Sequence, residues 1–82
     1  MKHFFYFARC SDGSLYAGYT TNIQEREKTH NQGKGAKFTA GRRPVKIIYW
    51  EEFETQKEAM QREIHVKKWN RKKKEKLLQE KL

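Results

Sequence analysis

Two strand-like segments joined by a short turn constrain the fold of this chain more than any other feature. Residues 3–10 (HFFYFARC) are aromatic and apolar, residues 15–19 (LYAGY) form a second β-favouring run, and the turn cluster 11–14 (SDGS) separates them. A connection of this length is far too short for a crossover, so the two strands must be antiparallel. The beginning of the chain therefore predicts a β-hairpin with a glycine at its tight turn.

A helix, a loop and a third strand are expected after the hairpin. Asn22 and Glu25 have the spacing of an N-cap residue and its capping-box partner, which predicts a helix over about 23–30. Residues 31–44 are rich in Gly and Lys and indicate a loop, whereas the run 45–50 (VKIIYW) strongly favours a strand.

Two further helices are predicted towards the end of the chain. Thr55 and Glu58 form a second capping-box signature, and we expect the helix that they open to extend to about Trp69. Residues 71–82 repeat a helical pattern. The predicted order is β-β-α-β-α-α, a small α/β fold in which helices pack on three strands. A chain of 82 residues buries little surface, which favours one domain over residues 1–82.

The positive charge of the chain is concentrated in two blocks. The formal net charge is +9, residues 31–50 contain five Lys or Arg and no acid, and a second basic block begins at residue 67. Such clustering is typical of a polyanion partner, although basic helical faces that serve only solubility are also common. We expect nucleic-acid contacts from these two blocks, namely from Lys34, Lys37, Arg42, Arg43, Lys67 and Lys68.

Several other classes of site find no support in the sequence. The single cysteine, Cys10, excludes a disulfide framework and fits a reducing cytoplasm. The apolar run 4–8 is too short for a signal sequence or a membrane span, so no membrane partner is expected. The three histidines lack zinc-ligand spacing, and residues 33–35 (GKG) lack the remainder of a nucleotide-binding loop.

Glu63 is the most informative acidic residue. On a helix over 55–69 it projects about 40° from Ala59, inside a wide apolar arc. The other apolar members of this arc are Val66, Met60, Ile64 and Trp69. A carboxylate that points towards a core is unfavourable unless a cation or a metal compensates it. A salt bridge to a nearby Lys or Arg explains the position equally well.

The first predicted helix has an unusual inner face. Arg26 and His30 share this face with Ile23, its only strongly apolar residue. Arginine suits bidentate contact with a phosphate, and histidine carries a proton near neutral pH. A surface helix with a short inner face is an equally good interpretation.

Tyr6 and Tyr16 lie on the two strands of the predicted hairpin. A phenol donates or accepts a hydrogen bond, and beside a cation it can be deprotonated to serve as a base. A core position is the more common role of such a tyrosine. The two side chains share a sheet face only if the loop has an odd number of residues or a bulge intervenes, because a two-residue Asp12-Gly13 loop places them on opposite faces.

Taken in order, these positions resemble the motifs of the GIY-YIG nuclease superfamily, in particular its small stand-alone bacterial members. The resemblance covers about residues 4–78. Its elements are Phe4-Phe5-Tyr6 and Tyr16-Ala17-Gly18 for the two motif halves, then Arg26, His30-Asn31, the loop 33–37, Arg62-Glu63 and Lys67-Lys68-Trp69.

The resemblance implies a small three-stranded antiparallel sheet flanked by helices. It also implies an endonuclease that hydrolyses phosphodiester bonds in DNA, more than in RNA, with one Mg²⁺ or Mn²⁺ ion. The implied roles are metal ligand for Glu63, base for Tyr6, water or phosphate orientation for Tyr16, charge stabilisation for Arg26 and proton transfer for His30. Gly18 would allow close passage of the backbone.

The chain also departs from the family pattern. Phe4-Phe5 replace Gly-Ile, Ala17 replaces Ile, and Asn70 is the only nearby candidate for the family's downstream Asn. The target-choosing domain of larger members has no counterpart, so a protein partner is expected to supply selectivity. The alternative is a non-catalytic, basic nucleic-acid-binding module.

Overall fold

The computed structural model describes residues 1–80, and three strands in it form an antiparallel sheet with helices on both faces. The sheet order is β2-β1-β3, with β1 in the centre. The predicted fold class and element order are confirmed, while the end of the last predicted helix, residues 81 and 82, lies outside the described residues. The elements are β1 (His3–Arg9), β2 (Leu15–Thr20), α1 (Ile23–Asn31), α2 (Lys37–Ala40), β3 (Lys46–Phe53), α3 (Gln56–Lys67) and α4 (Arg71–Glu80).

Both predicted capping residues begin helices. The Glu25 N–H donates to the Asn22 side chain over 3.0 Å at the start of α1. The Glu58 N–H donates to the Thr55 hydroxyl over 3.2 Å at the start of α3, and that hydroxyl donates to the Glu58 carboxylate. These bonds satisfy donors that the first turn of a helix leaves free. The local sequence therefore determines where α1 and α3 begin.

The prediction of a plain loop over 31–44 is wrong in part, because the short helix α2 lies within it. Its N-cap residue, Ala36, makes no side-chain capping bond, so the sequence carries no start signal. The loop is fixed by Asn31, whose side-chain amide donates to the Val45 carbonyl and accepts from the Val45 N–H, over 2.8 and 2.7 Å.

The register of the hairpin places Tyr6 and Tyr16 on the same face of the sheet. Tyr6 pairs with Gly18 and Ala8 pairs with Tyr16, so the connection between β1 and β2 has five residues, 10–14. Gly13 in this connection has φ 85°, which a glycine adopts without strain. The odd loop length meets the condition for the two hairpin phenols to share one face of the sheet.

The sheet separates two apolar clusters. One face packs against α3 and α4, and its buried members are Phe5, Phe7, Ala17, Tyr49, Val66 and Leu78. The opposite face lies under α1, and its buried members are Tyr6, Ala8, Cys10, Val45 and Ile47, with Ile23 against them. Because strand side chains alternate between faces, Tyr6 belongs to the second cluster while its neighbours Phe5 and Phe7 belong to the first.

Candidate active site

The phenol of Tyr6 lies at the centre of the α1 side of the sheet. Its side chain is 1% exposed, and its hydroxyl lies 2.6 Å from Nε2 of His30, which is fully buried. Gly18 faces the phenol from β2, and a Cβ atom there would lie 2.5 Å from both Cζ and Oη of Tyr6. The backbone at Gly18 thus passes close to the Tyr6 ring, at a place where a side chain would obstruct it.

His30 is held on its other side by α2 and the loop before it. Its Nδ1 lies 2.8 Å from the Thr39 hydroxyl, which donates to the Ala36 carbonyl over 3.1 Å. A Cβ atom at Gly35 would lie 2.2 Å from Nδ1. Neither Thr39 nor Gly35 was predicted as a site residue, because the only local signal was a Gly- and Lys-rich segment that also fits a flexible basic loop.

The electrostatic environment keeps both members of this pair neutral. Burial raises the pKa of Tyr6, the nearby Tyr16 and Glu63 add to the increase, and Arg26 opposes it. Burial, and then Arg26, lower the pKa of His30 below its ordinary value of 6.5. At neutral pH the Tyr6 hydroxyl is therefore protonated, and the His30 imidazole beside it is uncharged. These effects also place Arg26 and Glu63 within electrostatic range of the Tyr6 hydroxyl.

Tyr16 forms the more open side of the same pocket. It is half-buried, and its ring centroid lies 6.3 Å from that of Tyr6 and 5.3 Å from that of His30. Phe38 stacks on Tyr16 at 6.0 Å, and the Lys67 ammonium lies 5.6 Å from the Tyr16 ring centroid. Tyr16 on β2, Phe38 on α2 and Lys67 on α3 thus lie together on this side of the pocket.

Glu63 reaches this region from α3. Its side chain is 17% exposed, and the Lys67 ammonium, one turn later, lies 3.8 Å from its carboxylate. Within the described chain the carboxylate has this one ion-pair partner and no hydrogen-bond donor. The salt bridge considered as an alternative is therefore present at long range, and it leaves the oxygens available for another cation.

The apolar arc predicted for α3 is wrong in its extent. Ala59 and Val66 are fully buried, but Met60 and Ile64 are 39% and 53% exposed. The small Ala59 lets the helix contact the sheet along a narrow stripe, so the flanking apolar side chains stay in solvent. Glu63 lies beside this stripe, at the edge of the buried face and not in its middle.

The side chains of this region suit a metal ion that takes one ligand from the protein and its other ligands from water and the substrate. Among residues 1–80, no three His, Cys, Asp or Glu side chains are grouped so that they could enclose a metal ion. Mg²⁺ is commonly bound through one or two carboxylates, with waters and substrate phosphates as its other ligands. Glu63, a single carboxylate that is largely shielded from solvent, meets this requirement. A metal ion whose ligands all come from the protein does not fit these residues.

The basic residues proposed to contact nucleic acid fall into two groups. Arg42 donates to Asp12 over 3.0 Å and to the Phe38 carbonyl over 2.7 Å, and Arg43 donates to the Ala40 carbonyl over 2.9 Å. Both arginines thus stabilise the loop around α2. The remaining four residues are exposed to solvent, namely Lys34, Lys37, Lys67 and Lys68.

Asn70 lies at a helix start. Its side chain accepts from the Lys73 N–H over 2.9 Å and so caps the beginning of α4. This bond accounts for Asn70 without a role in the pocket.

Comparisons with known proteins agree with this geometry. A sequence model described as the GIY-YIG catalytic domain matches residues 2–76. The chain is 60% identical to a UPF0213 protein of Bacillus licheniformis over 98% of this chain and 82% of that protein. It is 51% identical to a UPF0213 protein of Staphylococcus haemolyticus over 96% of both chains.

Solved structures show the same fold. A UPF0213 protein from Bacillus halodurans, solved by NMR, matches with a TM-score of 0.62 and 46% identity over 96% of this chain and 84% of that one. A protein from E. faecalis, also solved by NMR, matches with a TM-score of 0.64 and 49% identity over the same shares. None of the helices in residues 1–80 has the length and apolar character needed to span a membrane. The domain match and these relatives together show that the chain belongs to the GIY-YIG family.

Proposed function

We propose that this protein is a divalent-metal-dependent endonuclease that hydrolyses phosphodiester bonds in DNA, with weak sequence selectivity or selectivity for DNA structure. The observation that carries this proposal is the buried Tyr6–His30 hydrogen bond, with Arg26 and Glu63 within electrostatic range. A phenol and an imidazole in contact, with a guanidinium and a carboxylate within electrostatic range, would provide proton transfer and charge stabilisation together.

The neutral Tyr6–His30 pair supports proton transfer through the phenol. The attacking water loses its proton to Oη of Tyr6 while the phenol's own proton moves to Nε2 of His30. Because burial raises the pKa of Tyr6, a standing phenolate is disfavoured, and the phenol acts as a base only if its proton has an acceptor. The lowered pKa of His30 keeps Nε2 free to accept that proton.

The other residues of the pocket act on the phosphate. Arg26 stabilises the negative charge that develops on the phosphate oxygens, and the Tyr16 hydroxyl orients the water or the phosphate. Glu63 would hold one Mg²⁺ or Mn²⁺ ion, which when bound polarises a phosphoryl oxygen. Lys67 lies beside both Glu63 and Tyr16, and it would contact an adjacent phosphate.

The exposed lysines would bind the DNA backbone outside the pocket. Lys34 and Lys37 lie on the α2 side, and Lys67 and Lys68 lie at the end of α3. Contacts of this kind carry little sequence information, so a protein partner would supply target selectivity. The single, buried Cys10 supports a site of action in the reducing cytoplasm.

A cleavage assay over several substrates tests the proposal. Purified protein is incubated with supercoiled, single-stranded, linear duplex and branched DNA in Mg²⁺, in Mn²⁺ and with EDTA. We expect cutting of at least one substrate in the presence of metal, and its loss both with EDTA and in Glu63→Ala. Cleavage that persists unchanged in Glu63→Ala would reject the assignment.

The exposed lysines also support a second candidate, a non-catalytic nucleic-acid-binding module. This function predicts salt-sensitive DNA binding, no metal-dependent cleavage, and unchanged affinity in Glu63→Ala. The same samples, measured for binding at several salt concentrations, distinguish the two candidates.

A further inference from the structure

Thr39 is buried against the side of His30 that faces away from the phenol. Thr39 and His30 are both fully buried, and the Thr39 hydroxyl oxygen lies 2.8 Å from Nδ1 of His30. The sequence offers no reason to expect this contact, because the two residues lie on different helices and α2 begins without a capping signal.

The direction of this hydrogen bond follows from the proton count of a hydroxyl. The Thr39 hydroxyl has one proton, and it donates that proton to the Ala36 carbonyl over 3.1 Å. Towards His30 it can therefore only accept, so Nδ1 of His30 must carry a hydrogen. A neutral imidazole with its hydrogen on Nδ1 has a lone pair on Nε2.

The lone pair on Nε2 fixes the direction of the next hydrogen bond. Nε2 lies 2.6 Å from Oη of Tyr6, and it can only accept there, so the phenol donates. The opposite tautomer would turn Nε2 into a donor, and the Tyr6 hydroxyl would then have no hydrogen-bond acceptor among residues 1–80. The three hydrogen bonds thus all point the same way: Tyr6 donates to His30, His30 donates to Thr39, and Thr39 donates to the Ala36 carbonyl.

Gly35 and two tyrosine rings lie close around the imidazole of His30. A Cβ atom at Gly35 would lie 2.2 Å from Nδ1 and 2.6 Å from Cγ, so the chain passes as close to the imidazole as a glycine allows. The ring is also bordered by Tyr6 and Tyr16 on the side of the sheet. The Thr39 hydroxyl therefore contacts an imidazole that is closely packed on several sides.

We propose that Thr39 is a positioning residue that holds His30 in its Nδ1–H tautomer, so that Nε2 can take the proton of Tyr6 during phosphodiester hydrolysis. Its part in hydrolysis rests on the proposed nuclease function, whereas its control of the tautomer does not. Thr39 touches neither the water nor the phosphate, and it acts through His30.

The tautomer can be measured without any enzyme activity. Long-range ¹H–¹⁵N correlation spectra of ¹⁵N-labelled protein distinguish a protonated from an unprotonated ring nitrogen, and a His30→Gln sample assigns the signal. We expect wild type to show Nδ1 protonated and Nε2 unprotonated. Thr39→Val keeps the shape of the side chain but removes the acceptor, and we expect a substantial Nε2–H population. Thr39→Ser, which keeps the hydroxyl, restores the wild-type pattern.

Single-turnover cleavage of the best DNA substrate gives the second readout. We expect Thr39→Val to slow cleavage about 100-fold, within the range that a positioned acid or base contributes, and Thr39→Ser to recover most of the rate. Thr29→Val is the matched control, because it also removes a threonine hydroxyl's hydrogen bond to a carbonyl, here that of Glu25 over 2.9 Å. Because the Thr29 hydroxyl bonds to Glu25 and not to His30, Thr29→Val should leave both the tautomer and the rate unchanged.

Three results would overturn the proposal. They are an unchanged Nδ1–H tautomer in Thr39→Val, a wild-type cleavage rate in that variant despite a changed tautomer, and failure of Thr39→Ser to restore either readout. If wild-type protein cuts no DNA, the nuclease function fails, and the spectra still decide whether Thr39 sets the tautomer.

Discussion

The hydroxyl of Tyr6 lies 2.6 Å from Nε2 of His30, and both side chains are almost completely buried. Tyr6 comes from the central strand and His30 from the last turn of α1, so the contact depends on how α1 packs on the sheet. Burial acts on the pKa of each group in the direction that keeps it neutral. At neutral pH both side chains of the pair are therefore uncharged.

The glycines that border this pair should be required for their lack of a side chain. Gly18→Ala and Gly35→Ala would place a Cβ atom 2.5 Å from Cζ and Oη of Tyr6 and 2.2 Å from Nδ1 of His30, respectively. We expect each variant to displace its neighbouring ring and to slow cleavage by about 10-fold or more, since small misplacements of reacting groups are costly. Cleavage rates and thermal unfolding midpoints of both variants provide the measurement.

Gly41→Ala is the control for these variants. Gly41 has φ −90°, and apart from its chain neighbours no atom of residues 1–80 lies within 4 Å of the position that a Cβ atom would take there, so an alanine fits without strain. Its stability should stay within about 0.5 kcal/mol of wild type. Wild-type cleavage by Gly18→Ala or Gly35→Ala would show that the pocket tolerates a shifted ring.

The folded protein should lose stability as the pH falls below about 6.5, through His30. The pKa of His30 is lowered by burial and by Arg26, so the unfolded chain binds this proton more readily than the folded protein. Stability from this residue is therefore present above the unfolded pKa and is lost as the pH falls towards the folded pKa. Denaturant unfolding from about pH 7.5 to about 5 measures this loss.

Two histidine variants isolate the contribution of His30 to the pH dependence. His30→Gln should show a weaker dependence than wild type over the same range, whereas substitution of the exposed His65 by Gln should leave the dependence unchanged. Equal pH dependence in wild type and His30→Gln would contradict the assignment.

Arg62 and Glu63 are neighbours in sequence but should differ in role. Arg62 forms a bidentate ion pair with Glu51, at 2.8 and 3.1 Å, and its guanidinium lies 5.2 Å from the Trp69 ring centroid. Both members of the pair are partly buried, so Arg62→Met should lower the free energy of unfolding by about 1 kcal/mol. Glu63→Gln should lower it little, because within residues 1–80 the one polar partner of the carboxylate is Lys67, at 3.8 Å.

Chemical denaturation of the two variants beside wild type measures this difference. A larger loss of stability in Glu63→Gln than in Arg62→Met would mean that Glu63 serves the fold.

Much of the fold could be predicted because its signals are local. The capping boxes at Asn22 and Thr55, the turn at Gly13 and the β-favouring run of β3 depend on neighbouring residues alone. α2 could not be predicted, since a four-residue helix without a side-chain cap has no local signature and forms through its tertiary contacts.

The candidate site was predicted less completely than the fold. The resemblance to the family pointed to five residues, namely Tyr6, Tyr16, Arg26, His30 and Glu63. It did not give the register that brings the two phenols together, because register depends on the length of the turn. Thr39 and Gly35 were missed because their importance comes from contact with His30 across the fold. The exposure of Met60 and Ile64 depends on how closely α3 approaches the sheet, which helical periodicity does not specify.

The most direct test of the central proposal is the single-turnover rate of DNA cleavage in Mg²⁺ for wild type and Glu63→Gln. Glu58→Gln is the matched control, since Glu58 is an exposed glutamate on the same helix and glutamine also suits its capping position. The account predicts cleavage by wild type and by Glu58→Gln, and a rate at least about 100-fold lower in Glu63→Gln with an unchanged unfolding midpoint. Equal rates in all three proteins would contradict it.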